Sequence, residues 1–218
     1  MIKSNYLVFD CETGGLSHTE NPITEFAAII LEPYKLKEVA RWSTFVKPYN
    51  NLKIEAESIK RTMVSMSDIK NGMDIKDFNK ELKAFLKDNN VKTKYKDAGR
   101  LVPVGHNVKF DIGFCNYALA LSSISWNEFV YENSLDTEVL SKMAWGLTGE
   151  EKLKLGFCCE RAKISLTDAH GAMNDTEATA DLFRFFCKRL RNEKIGATAT
   201  SKKERTKDSN FFEFQCAK

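Results

Sequence analysis

The chain has 218 residues, 43% hydrophobic and 29% charged, with a formal net charge of +3, which suits one sizeable α/β domain with an appendage and excludes a wholly disordered chain. No apolar run reaches the ~20 residues of a membrane helix, and Met1-Ile2-Lys3-Ser4-Asn5 runs straight into a strand-like segment, so the expectation is a soluble, cytoplasmic protein with no signal peptide and no membrane partner. From Arg191 onward there are seven basic and four acidic residues, leaving 26 of each in residues 1–190; that neutrality does not exclude phosphate binding, because bound cations can offset an acidic cluster.

Tyr6-Leu7-Val8-Phe9 is a short apolar run that ends in acidic residues and Thr13-Gly14-Gly15, the pattern of a buried strand entering a turn. Ile23–Leu31 and Glu38–Val46 follow as strands, with Glu32-Pro33-Tyr34 as the turn between them; three strands on short turns predict an antiparallel meander. Phe78, Leu82, Phe85 and Leu86 then repeat at helical spacing. Leu101-Val102-Pro103-Val104 predicts a fourth strand, with Pro103 at an edge or strand end because it cannot donate to a ladder. Phe110, Phe114, Tyr117, Ala118 and Leu121 predict a helix, Thr137–Ala144 and Lys154–Ala162 shorter ones, and Ala178, Leu182, Phe185, Phe186 and Leu190 a last long one. The order predicts an α/β protein with a mixed sheet flanked by helices. The domain is expected to span residues 1–190, with 191–218 as a polar basic linker and Phe-rich tail. Cys11, Cys115, Cys158, Cys159, Cys187 and Cys216 make no C-x-x-C pair and no zinc spacing with His18, His106 and His170, so neither a disulfide scaffold nor a structural zinc is expected.

Three short segments carry the candidate chemistry. Asp10 and Glu12, two apart on a strand, project from the same face at its end. Such a pair is unfavourable unless protons or cations compensate it. In Gly105-His106-Asn107-Val108-Lys109-Phe110-Asp111, Asn107 is expected to cap a helix and Asp111 to fall in its first turn, where the helix dipole favours the ionised form. In His170-Gly171-Ala172-Met173-Asn174-Asp175-Thr176-Glu177, five residues are about 140° out of phase on a helix. His170 and Asp175 therefore converge only if His170 precedes the helix and Asp175 opens it, with Asn174 and Glu177 forming a capping box. Four carboxylates suit Mg²⁺ or Mn²⁺ rather than zinc. Two such cations about 3.5–4 Å apart can serve an in-line phosphoryl displacement, and a nearby histidine titrates in the range needed to take a proton from water.

The order D-x-E, N-x-x-x-D, H-x-x-x-x-D resembles the three motifs of the DEDD exonuclease superfamily, histidine branch, to which the proofreading epsilon subunit and RNase T belong. Gly171 stands where the tyrosine branch would carry Tyr. Asn21–Ala28 resembles the family's second strand and Leu135-Asp136-Thr137 the segment before its later helices. The resemblance implies an RNase H-like mixed five-stranded sheet and 3′→5′ release of nucleoside 5′-monophosphates from a single strand, preferably DNA. Asp10, Glu12 and Asp175 would hold one cation, Asp10 with Asp111 would help place a second, and His170 would be the general base. Thr13 and Gly14 would offer backbone groups to the terminal nucleotide, with Leu16, His106 and Phe110 near its sugar and base. Thr62-Met63-Val64 departs from the His-Gly or Asn-Gly of many relatives, which bears on base contacts. An exoribonuclease and a catalytically silent nucleic-acid-binding module are the alternatives. Phe211, Phe212 and Phe214 either dock on a polymerase or sliding clamp or fold back onto the same domain.

Overall fold

Alternation along the first strand divides the protein into two layers. The computed structural model describes residues 4–62, 64–90, 99–149, 153–166 and 170–196, the last five through their backbone alone. Strand β1 (Tyr6–Thr13) turns Leu7, Phe9 and Cys11 to one face and Tyr6 and Val8 to the other. It pairs antiparallel with β2 (Ile23–Leu31), which pairs antiparallel with β3 (Glu38–Phe45). On its other side lies β4 (Val102–Gly105), parallel to β1, and then the two-residue β5 (Leu135–Asp136), parallel to β4. The order β3-β2-β1-β4-β5 is the mixed five-stranded sheet expected, with its three-strand meander.

The first face is covered by α3 (Ile75–Asp88) and α4 (Val108–Ala120). Phe26 lies at its centre, with ring centroids 5.4 Å from Trp42, 5.7 Å from Phe78 and 6.2 Å from Phe9, tilted and edge-on geometries that aromatic quadrupoles favour. The opposite face packs on α7 (Ala172–Gly196) through Val8, Ile29, Val104, Ala180 and Phe183. Helices α5 (Thr137–Trp145) and α6 (Leu155–Ala162) close over α7 through Leu147, Cys158, Leu182 and Phe186. Two six-residue helices, α1 (Ala56–Arg61) and α2 (Met66–Asn71), have no counterpart in the sequence reading, since each is too short to display a period.

Several expectations need correction. Strand β4 is interior, not an edge. Val102 donates to Asn5 on the β1 side at 2.9 Å, so by alternation the Pro103 nitrogen faces β5, whose pairing starts only at Val104. Leu190 is 42% exposed and does not anchor α7, whereas Phe183 is buried. Helix α7 continues past the expected boundary at 190 to Gly196; Phe211, Phe212, Phe214 and Cys216 lie outside the described residues. Asn107 sits at the cap position of α4 but in the left-handed region, with φ 60°, and its side chain makes no capping bond. The Asp136 carboxylate caps instead, accepting from Asn107 N at 3.0 Å and Val108 N at 3.1 Å. It also caps its own helix α5 through Glu138 N at 2.9 Å.

One carboxylate thus satisfies three backbone donors at the starts of two helices. Asp136→Ala is expected to destabilise the protein by roughly 1–3 kcal/mol in denaturant titration, since the donors lose their partner; Asp136→Asn, which keeps one acceptor oxygen, should cost less.

Candidate active site

The site forms where the C-terminal end of β1 meets the N-terminal ends of α4 and α7. Asp10 and Glu12 share the face that carries Tyr6 and Val8, toward α7. Asp175, in the first turn of α7, meets them there: ligand oxygens of Asp10, Glu12 and Asp175 all lie within 4.8 Å of one another. Asp111, in the first turn of α4, approaches from the other layer, 4% exposed, its Oδ1 accepting the Cys11 amide at 3.0 Å. Cys11 lies between the two acids of β1, so this bond ties α4 to the middle of the D-x-E segment. Three expected carboxylates are therefore gathered within the span of one cation site, and the fourth is fixed beside them.

The start of α7 differs from the expected capping box. The helix begins at Ala172, with Gly171 O accepting from Asp175 N at 3.0 Å, so Asn174 lies inside the first turn. Glu177 turns away to Arg41, 2.6 Å distant. The Ala172 amide donates to Glu25 Oε2 at 3.1 Å. His170 precedes the helix with φ 78°, and its backbone nitrogen lies 3.5 Å from Asp175 Oδ1. The two do converge as loop and first turn, with His170 exposed to solvent; Asp168 and Ala169 lie outside the described residues.

Burial and crowding dominate the electrostatics. Burial first, then Asp111, Glu12 and Asp175, push the Asp10 carboxyl well above its ordinary range. Glu12 is raised to about 8 by burial, with Asp175 and Glu25 adding and the Arg61 guanidinium opposing. Asp111 is also pushed up to about 8 by burial, although the Cys11 amide opposes the shift. The helix-dipole expectation for Asp111 is thus outweighed by desolvation. Asp175 is raised by burial and held back by His170. A cluster of oxygen donors that resists ionisation by itself is a donor set that a divalent cation fits, since the cation supplies the missing positive charge and takes hard oxygen ligands.

The expected substrate contacts are more dispersed. Gly14 N donates to Pro22 O at 2.8 Å and Gly14 O accepts from Glu55 N at 2.7 Å, so both backbone groups already bond within the protein. A Cβ there would lie 2.7 Å from Pro22 Cδ, which requires glycine. The buried Thr13 hydroxyl donates to Gly15 O at 2.7 Å. Leu16 is 70% exposed at the turn. His18, two residues on, packs edge-on to Phe114 and Tyr117 of α4, each 6.1 Å away, while Phe110 packs on Phe114 in a tilted pair with centroids 4.9 Å apart. Leu16 and Phe110 thus belong to a loop and a helix that touch.

His106 is held from both sides, Nδ1 2.9 Å from the Thr137 hydroxyl and Nε2 2.5 Å from Leu153 O. A carbonyl only accepts, so Nε2 carries the proton, and burial favours the neutral ring. In the departing segment Val64 is buried and Met63 lies outside the described residues.

Two residues of the site escaped the sequence reading. Glu25 is the register partner of Glu12 across β1 and β2, a fifth carboxylate on the same face; its signal was a lone charge inside an otherwise apolar strand. Arg61, at the end of α1, is close enough to act on Glu12, and nothing in its sequence surroundings announced that.

Comparison with known proteins agrees with this geometry. The RNase T exonuclease family profile matches residues 7–183, and the chain belongs to that family, within the DEDD superfamily of 3′→5′ exonucleases. Among curated proteins it is similar to the PolC-type DNA polymerase III of Clostridium perfringens, 31% identical over 192 residues, 86% of this chain and 12% of that one. Among solved structures it is similar to E. coli Exonuclease I in complex with a dT13 oligonucleotide, with TM-score 0.69 and 16% identity over 87% of this chain and 43% of the other. It also resembles a 3′-exonuclease solved for 3′-end-specific recognition of a histone mRNA stem-loop, with TM-score 0.67 and 15% identity over 87% and 64% of the two chains. The chain thus spans about one eighth of the polymerase and less than half of Exonuclease I.

The raised carboxyls predict an inverted pH dependence of stability. Glu12 rises from 4.5 and Asp111 from 3.8, each to about 8, so the folded chain binds more protons than the unfolded one between those limits. Metal-free stability is therefore greatest at the acidic side and is lost as pH rises through that window. The Tm of metal-free protein is expected to fall between about pH 5.5 and pH 8.5, and Mn²⁺ to raise it more at the higher pH. A Tm that rises with pH in EDTA would contradict this electrostatic account.

Proposed function

We propose that this chain hydrolyses the last phosphodiester bond at the 3′ end of a single DNA strand, releasing a nucleoside 5′-monophosphate. The observation that carries the reading is the meeting of Asp10, Glu12 and Asp175 within 4.8 Å, with Asp111 tied to the same strand and His170 at its rim. Asp10, Glu12 and Asp175 would hold one divalent cation, and Asp10 with Asp111 would help hold a second, Mg²⁺ or Mn²⁺. Cations so held supply positive charge to the attacking and leaving oxygens of an in-line displacement.

The residues do the rest. His170, exposed and one loop residue from α7, takes the proton of the attacking water. The water oxygen bonds to phosphorus, the bond from phosphorus to the 3′ oxygen of the penultimate nucleotide breaks, and that oxygen takes a proton from solvent. Leu16 and Phe110 give the terminal sugar and base an apolar surface that favours no base. Thr13, Gly14 and His106 would lie beside that surface, their groups already bonded within the protein.

DNA as substrate is favoured by the polymerase relative and by the oligodeoxynucleotide complexes of Exonuclease I. An exoribonuclease is the second reading, since the histone mRNA 3′-exonuclease shares the fold equally well. Among the described residues no helix is long and apolar enough to cross a membrane. Residues up to 196 would constitute the catalytic unit. Phe211, Phe212 and Phe214 would serve a polymerase or clamp partner in proofreading, so that truncation after Gly196 leaves hydrolysis of free oligonucleotides intact.

Purified protein is expected to shorten end-labelled single-stranded DNA stepwise from its 3′ end with Mg²⁺ or Mn²⁺, to stop in EDTA, and to release 5′-monophosphates. Asp10→Ala should abolish shortening. RNA of the same sequence should be cut more slowly, and faster RNA cleavage would transfer the assignment to the exoribonuclease reading.

A further inference from the structure

Glu25 lies in none of the three motifs, yet it joins two parts of the site. It faces Glu12 in register across β1 and β2. Its Oε2 accepts the amide of Ala172, the first residue of α7. One turn further, the buried Thr176 hydroxyl lies 3.4 Å from Ala27 O on the same strand and 2.7 Å from Ala172 O. The first turn of α7 is therefore tied to β2 at its end and one turn in. That turn carries Asp175, whose oxygen faces the His170 N–H.

A fifth carboxylate in so crowded a cluster adds repulsion, and its placement needs a compensating reason. The end of α7 provides one, because first-turn amides are unpaired donors at the positive end of the helix dipole. Glu25 is not among the residues whose ligand oxygens all lie within 4.8 Å of one another, and one of its oxygens is already committed to an amide.

We propose that Glu25 is a positioning residue: it anchors the N-terminus of α7 on β2 and thereby holds Asp175 and His170 in place opposite Asp10 and Glu12, without itself ligating a cation. This rests on the hydrolytic reading given above. Without the anchor, the helix start drifts from the sheet and the two halves of the site separate; misplacement by an ångström can cost about 10²-fold in rate.

The test compares Glu25→Gln and Glu25→Ala in the full chain, by kcat and KM on single-stranded oligonucleotide, by Mn²⁺ titration and by amide hydrogen exchange over Ala172–Asp175. Gln keeps a carbonyl oxygen for the Ala172 amide, so kcat is expected to stay within a few-fold of wild type with half-saturating Mn²⁺ unchanged. Ala should lower kcat by roughly 10²-fold at nearly constant KM and lose exchange protection at the start of α7, while its thermal melt stays cooperative. Loss of activity in Gln as deep as in Ala, with more Mn²⁺ required, would make Glu25 a ligand and overturn the proposal. Full activity or full protection in Ala would overturn it as well. Should wild type degrade neither DNA nor RNA, the hydrolytic reading fails, and the exchange data still decide whether Glu25 anchors α7.

Discussion

Like charges gathered at the end of one strand are the constraint on which the rest of the architecture turns. Asp10, Glu12 and Asp175 are brought within 4.8 Å, and Asp111 is buried beside them. Nothing in local propensity would hold these groups together, since Asp111, Glu12 and Asp175 raise the proton affinity of Asp10, and Asp175 and Asp111 that of Glu12, on top of burial. The apolar layers provide the force. Val8, Ile29 and Phe183 bury α7 against one face, and Phe9, Phe26 and Phe114 join α3 and α4 to the other. Burial of side chains of this size contributes roughly 1.5–3 kcal/mol each, enough in sum to hold an acidic cluster that favours neither layer.

Backbone amides then set the distances. The Cys11 amide meets Asp111, the Ala172 amide meets Glu25, and Asp136 gathers amides from the starts of α4 and α5. In each case a carboxylate from one element bonds a main-chain donor of another, often at a helix start, where donors are otherwise unpaired. The same residue class thus serves as candidate ligand and as structural tie, and the difference lies in where its oxygens point. Both oxygens of Asp136 and one of Glu25 accept from amides; Asp10, Glu12 and Asp175 each bring one oxygen within 4.8 Å of the others.

Shared architecture reaches further than shared substrate. Exonuclease I bound to oligodeoxynucleotides and a 3′-exonuclease directed at a histone mRNA stem-loop superpose on this chain almost equally. A shared fold therefore does not choose between polymers, which depends on how a site meets the 2′-OH.

Local pattern made much of the fold legible. Apolar runs between turn signals marked β1, β2 and β3, helical spacing marked α3, α4 and α7, and the shorter α5 and α6 fall close to the ranges expected for them. The motif residues Asp10, Glu12, Asp111, His170 and Asp175 stood out together, as four acids and a histidine at strand and helix ends in the order of the three DEDD motifs. The short helices α1 and α2 were missed because six residues show no period, and Leu190 was misplaced because helical spacing does not say where a core ends. Which residue caps which helix was equally hidden: Asn107 and Asn174 fit local capping patterns, yet the caps come from Asp136 and Glu25, far away in sequence. Thus the sequence by itself determined the first four strands, the longer helices and the four motif acids, since these follow from local spacing and side-chain type. Only the tertiary structure decided which amides and which carboxylates meet, because a hydrogen bond between distant segments depends on sheet order and register, and no local pattern encodes either.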